Sequence, residues 1–164
     1  MTGSQRLLIF GGMALAAFGM LYGLHYAALV EHRMLDRLGG SLAQAFTDAA
    51  ARNSASSQAA LESYRSTKYD YVRQVDAHSH WIGLAMTMIV LGAAFGHVHY
   101  TESLRRTIAL ALLAGGTLFP LSVILQTYQH DAVLLKALAV ASSGLVIVSM
   151  AAVAWGFFRR TTSA

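Results

Sequence analysis

The sequence has no cysteine, one proline and few charges: Asp, Glu, Lys and Arg together make up 12% of its 164 residues, about half of the ~25% usual for a soluble domain. Without cysteine there are no disulfides, thiolate metal sites, iron–sulfur clusters or cysteine nucleophiles. Any metal must therefore be held by His, Met, Tyr or carboxylate. Also missing are a phosphate-binding Walker loop, a nucleophile elbow and a His-Glu-x-x-His zinc helix. What replaces the charges is apolar: 55% hydrophobic residues and a mean hydropathy of +0.49 mark an integral membrane protein. The length accommodates one compact membrane domain over residues 1–164 and no second globular unit. A net charge of +4 suggests nucleic acid in a soluble protein. Here the cations stand at the edges of apolar segments, so the lipid bilayer is the expected partner and nucleic acid is not.

Four membrane spans are expected, at about residues 7–30, 80–99, 107–127 and 136–158. The first, Leu7 to Val30, is interrupted only by His25 and is too long for the ~7–15-residue apolar core of a secretory signal. Pro120 lies inside the third, where it is expected to kink the helix or leave a carbonyl to a neighbour. Arg6, Arg105-Arg106 and Arg159-Arg160 then all flank one side, which places both termini in the cytoplasm of a multi-pass inner-membrane protein. The expected fold class is all-α: an integral membrane four-helix bundle with an extracytoplasmic helical hairpin that extends spans one and two.

That hairpin is segment 31–77, which balances six Lys/Arg against six Asp/Glu. Leu35, Leu38, Leu42, Ala45 and Ala49 repeat at spacings of three and four, the mark of an apolar helical stripe. The polar stretch Arg52 to Ser57 reads as a break, and Leu61, Tyr64, Tyr71 (or Lys68 by its aliphatic stem), Val72 and Val75 as a weaker return stripe. At 1.5 Å per residue, some 22 residues rise about 30 Å, with Gly39-Gly40 as the weak point. The hairpin is a candidate docking site for an extracytoplasmic protein partner.

The chain is organised around Val75-Asp76-Ala77-His78-Ser79-His80-Trp81, which leads into the apolar run Ile82 to Phe95 and out through Gly96-His97-Val98-His99. Four of the seven histidines thus flank one membrane-length stretch, and neutral imidazole is the commonest metal ligand. If Val30 and His80 share the outer boundary, antiparallel pairing brings His32 level with Ala77 or His78, with His25 about 7 Å deeper. His130 follows span three at the same boundary. Five histidines (His25, His32, His78, His80 and His130) are therefore expected to converge in the outer third, with Glu31, Asp76 and Asp131 as acceptors for a ligand's second N–H. His78 and His80 point about 200° apart on a helix and cannot share one metal.

Arg73 to His78 with Ser79, the following apolar span with Met86 and Met88, the turn carrying Glu102, Arg105 and Arg106, and two further spans with a basic tail resemble the styrene oxide isomerase family. The resemblance covers about residues 73–160. Those small four-span proteins bind haem b through a histidine in an Ala-His-Ser sequence at the start of span two, and assemble as trimers with haem near subunit contacts. The resemblance implies haem b as cofactor, His78 as the iron ligand and a homotrimer. The family's isomerases carry a polar amide, an acid and a tyrosine where this chain has Leu84 and approximately Gly115 and Val123.

Two haem functions follow. One is a small b-type cytochrome that passes electrons at the outer side of the membrane, with His25 or His130 as second axial ligand and Arg73, Trp81, His80 and His32 completing the candidate cofactor-binding set. The other is a Lewis-acid isomerase acting on a small apolar epoxide in a cavity lined by Met86, Phe119 and Trp81. A third reading holds copper or zinc by His32, His78 and His130. Gly19-x-x-x-Gly23 and Gly92-x-x-x-Gly96 permit close helix approach and are read as association surfaces.

Overall fold

The computed structural model describes residues 1–159; Arg160, counted above among the basic flanks, lies outside them. The chain forms α1 (Gly3–Tyr26), a π-helical turn (Ala27–Glu31), α2 (His32–Ala50), α3 (Ser54–Ala94) with a 3-10 turn (Phe95–His97), α4 (Glu102–Leu125) and α5 (Val133–Phe158). The described residues are all-helical, with no strand. Four runs are long and apolar enough to cross a membrane: Gly3–Ala50, Ser54–His97, Glu102–Leu125 and Val133–Phe158. Span one does continue as helix into α2, and α4 runs through the buried Pro120. The second apolar stretch ends earlier than its hydropathy suggests. Helix α3 stops at Ala94, so His97 lies in the 3-10 turn and His99 beyond it.

Side chains and backbone at the helix starts satisfy the free N–H groups there. Thr2 and Gln5 form a capping box on α1, Asn53 caps α3 and Thr101 caps α4. Only Ala51–Asn53 form the turn between α2 and α3; Ser54 to Ser57 already belong to α3 because Asn53 Oδ1 accepts from Ser56 N at 3.3 Å. The end of α2 is closed by Arg52 N to Ala49 O (3.0 Å) and Asn53 N to Asp48 O (2.8 Å), a Schellman pattern with Arg52 at φ 58° in the left-handed position usually held by glycine.

Helices α2 and α3 pack together. Ala45 is buried against α3, and Ser57 Oγ donates to the Ala45 carbonyl at 2.9 Å. Leu38 and Leu42 are half-buried, while Leu35 and Ala49 face outward. Helix α2 passes unbroken through Gly39 and Gly40, whose missing Cβ positions meet nothing within 4 Å. Replacing both with alanine is therefore expected to strengthen α2 by up to about 1 kcal/mol per site. Slower amide exchange across residues 33–49 would register the gain; unchanged or faster exchange would contradict it.

Helices α1, α3 and α4 share one core, in which Trp81, Met88, Leu8, Leu112 and Phe95 are almost fully enclosed. Glycines decide how α1 meets α3. A Cβ on Gly12 would come within 3.0 Å of the Ala85 carbonyl, one on Gly19 within 3.0 Å of Trp81 Cβ, and one on Gly92 within 2.7 Å of Ile9. Both Gly-x-x-x-Gly pairs are thus consumed in packing α1 on α3 inside the chain, because antiparallel helices this close tolerate no side chain at the crossing points. The association surfaces expected from them are not free.

Helix α5 leans on α4 through the stripe Ala139, Ser142, Val146, Ser149, Val153 and Gly156, with Gly115 of α4 cleared for Val146. Its other side is exposed at Ile147, Val148 and Trp155. At one end of the molecule Ser4 N donates to Glu102 Oε1 at 2.7 Å, His99 N to the Gly156 carbonyl at 3.0 Å, and the Arg159 guanidinium lies 5.5 Å from the Tyr100 ring centre. Arg6, Arg105, Arg106 and Arg159 therefore share an end, as the basic flanks led one to expect.

Candidate functional site: His78 in the α1–α3 seam

His78 sits where α3 crosses α1. Its Nδ1 lies 3.0 Å from the Gly19 carbonyl oxygen, and a Cβ on Gly23 would fall 2.3 Å from its Cε1 and 2.9 Å from its Nε2. The imidazole fills the notch left by Gly23. A carbonyl oxygen only accepts, which assigns the proton to Nδ1 and leaves the lone pair on Nε2. The ring is half-buried.

Trp81, one turn on, is 1% exposed and stands edge-on to Phe18 (4.8 Å) and Tyr22 (5.1 Å). Among the described residues its indole Nε1–H has no hydrogen-bond partner. Tyr22, which donates to Gln74 Oε1, braces the same seam and was missed in the sequence, where it looks like one more apolar residue of span one. The spacing of Gly19 and Gly23 does signal a close helix contact, which lies within the chain against α3.

The remaining histidines do not converge on His78. His80 turns to the α4 side, with Nδ1 2.6 Å from the Asp76 carbonyl and its ring edge-on to Phe119 at 4.8 Å. This agrees with the 200° separation. Arg73 also lies on that side, its guanidinium 5.0 Å from the Tyr69 ring centre, where it lines a groove with Asp76 and His80. His25 is exposed, two residues past Gly23 and so nearly level with His78, but on the far side of α1.

His32 and His130 lie higher. Gly23 meets His78 while Glu31 accepts from Tyr71 at 3.4 Å, so His32 is level with about Tyr69, roughly 12 Å along α3 from the expected Ala77 or His78. Its Nε2 is 3.6 Å from Asp36 in an exposed pair. His130 Nε2 lies 2.7 Å from Asp70 Oδ1, with its ring edge-on to Tyr69 at 5.3 Å. The expected antiparallel register failed because it matched hydropathy boundaries, whereas the glycine notches set the crossing. Among the described residues no three His, Asp or Glu are grouped to hold a metal ion. His32, His78 and His130 within one chain do not form the copper or zinc site.

The proposed epoxide cavity also comes apart. Met86 is 55% exposed on the outward face of α3, Trp81 is sealed in the core, and Phe119 covers His80. Of the family positions that differ, Gly115 packs on α5 and Val123 is buried in α4. No family model, curated protein or solved structure matches this chain.

Proposed function

We propose that the chain is a haem b-binding integral membrane protein, a small b-type cytochrome that passes electrons at the outer side of the cytoplasmic membrane. The observation that carries this reading is the His78 imidazole, whose Nδ1 is held by the Gly19 carbonyl. A carbonyl on Nδ1 fixes the ring orientation of a metal-binding histidine; His80 has the same bond to the Asp76 carbonyl, and what sets His78 apart is the Gly23 notch that holds its ring in the seam. In this proposal His78 would hold the haem iron through Nε2, the nitrogen that the Gly19 carbonyl leaves free. Bound there, haem b supplies one-electron transfer.

His78 is the iron ligand of this proposal. A second histidine, His25 or His130, would come from a neighbouring subunit, since neither meets His78 within the chain: His130 lies by Asp70 and His25 on the far side of α1. His25 is the one nearly level with His78 and exposed to a neighbour. The scattered positions of Met86, Phe119 and Trp81 favour electron transfer over epoxide isomerisation. The purified protein is expected to show a b-type absorption spectrum with low-spin ferric iron. A high-spin ferric spectrum that shifts with a small epoxide transfers the proposal to the isomerase; a colourless protein with stoichiometric copper or zinc overturns both.

The assembly proposed is a homo-oligomer in which a second subunit supplies that histidine; that it is a trimer is what the resemblance to the styrene oxide isomerase family implies. Native mass spectrometry from mild detergent showing only monomer with cofactor retained would refute it. The orientation proposed puts Arg6, Arg105 and Arg106 in the cytoplasm and α2 with the first half of α3 outside as a helical hairpin open to a partner. A cysteine at Ser56 is expected to react with an impermeant thiol reagent in intact cells, and one at Ser103 is not. The reverse labelling inverts the topology.

A further inference from the structure

Between α3, α4 and the start of α5 lies a groove of about 250 Å³, lined by Arg73, Asp76, His80, Phe119, Val123, Gln126, Lys136, Ala139 and Val140. Its two halves differ in chemistry. Arg73, Asp76 and Lys136 stand where the apolar segments begin, while Phe119, Val123, Ala139 and Val140 continue into them. With two cations against one carboxylate the polar half is net positive. Among the described residues, neither Arg73, Lys136 nor Asp76 takes part in an ion pair. Gln126 closes the floor: it is 3% exposed, and its amide is engaged by the Ser122 and Leu135 carbonyls and by Tyr69.

Two unpaired cations at a membrane boundary, above an apolar trough, match a phosphate that carries acyl chains. We propose that this groove binds one anionic phospholipid, its phosphate between Arg73 and Lys136 and one acyl chain along Phe119, Val123 and Val140. Lys136 supplies a mobile point charge, whereas the Arg73 guanidinium offers a planar fork to phosphate oxygens. Asp76 beside them selects for a singly charged phosphodiester over a more heavily charged head. His80 lines the groove on the α3 side, beside Phe119. The proposal rests on the four-span membrane reading and is independent of haem.

Native mass spectrometry of the full chain in mild detergent, titrated with phosphatidylglycerol or phosphatidylcholine of identical acyl chains, tests it. One phosphatidylglycerol per chain is expected to be retained in preference to phosphatidylcholine. At about fivefold per cation, Arg73→Gln and Lys136→Gln each weaken retention about fivefold, and the double variant roughly 25-fold. Val140→Trp, on the exposed rim of the trough, adds bulk where the acyl chain would lie without touching a charge and is expected to lower retention of both lipids, a readout that stands even if the double variant fails to fold. Arg37→Gln on α2 leaves it intact. Equal retention of the two lipids, or no loss in Val140→Trp, overturns the proposal. Displacement by millimolar inorganic phosphate overturns the lipid as the ligand in favour of the free anion. A chain recovered in the soluble fraction on cell lysis refutes the membrane reading itself, before any lipid is added.

Discussion

Alanine at position 78 is expected to remove the haem absorption of the purified protein while leaving its helical content and its membrane insertion unchanged. The imidazole is half-buried and makes one hydrogen bond, to the Gly19 carbonyl, so its loss costs the fold only about 0.5–1.5 kcal/mol. The cofactor, by contrast, loses its proposed protein ligand. A companion substitution separates ligation from mere packing. Gly23→Ala places a methyl 2.3 Å from His78 Cε1, forcing the ring out of its notch and away from the carbonyl that holds its tautomer. The spectrum is then expected to be shifted or weakened while position 78 remains histidine. Retention of an unaltered haem spectrum in His78→Ala would remove His78 from the site. An unaltered spectrum in Gly23→Ala would show that the notch does not position it.

Trp81→Ala is expected to cost about 3–5 kcal/mol, the range for deleting a large enclosed aromatic, because Trp81 is 1% exposed and joins α3 to Phe18 and Tyr22 of α1. Between membrane helices the loss is one of packing contacts, since lipid is as apolar as the core, which puts the cost at the lower end of that range. Trp81→Phe behaves differently. It gives up part of the same contact but also removes an indole N–H that finds no partner, and an unsatisfied buried donor carries a penalty of about 1–3 kcal/mol. The two effects oppose each other, so the phenylalanine variant is expected to stay within about 1.5 kcal/mol of the parent. Unfolding midpoints at fixed detergent concentration measure the difference. Equal destabilisation by alanine and phenylalanine would mean that the indole N–H makes a bond worth keeping.

Much of this protein was legible in local pattern. Apolar run length marks the four helices able to cross a membrane, and the spacing of Leu38, Leu42 and Ala45 marks the face that α2 turns to α3. The shared end of Arg6, Arg105, Arg106 and Arg159 follows from an even number of crossings. Each depends on neighbours within a few turns, where 1.5 Å rise and 3.6 residues per turn fix geometry without knowledge of any other helix. The opposed directions of His78 and His80 were readable for the same reason.

Which histidine meets which surface was decided only by tertiary structure. Gly19 and His78 are 59 residues apart, and their contact depends on how far α1 slides along α3. Hydropathy boundaries are soft over several residues, whereas the notches at Gly12, Gly19, Gly23 and Gly92 admit Ala85, Trp81, His78 and Ile9 at one register. That register carries His32 up to Tyr69, places His25 on the outer face of α1 and leaves His78 alone in the seam. Periodicity along one helix says which way a side chain points; the close fit between two helices decides what it meets there.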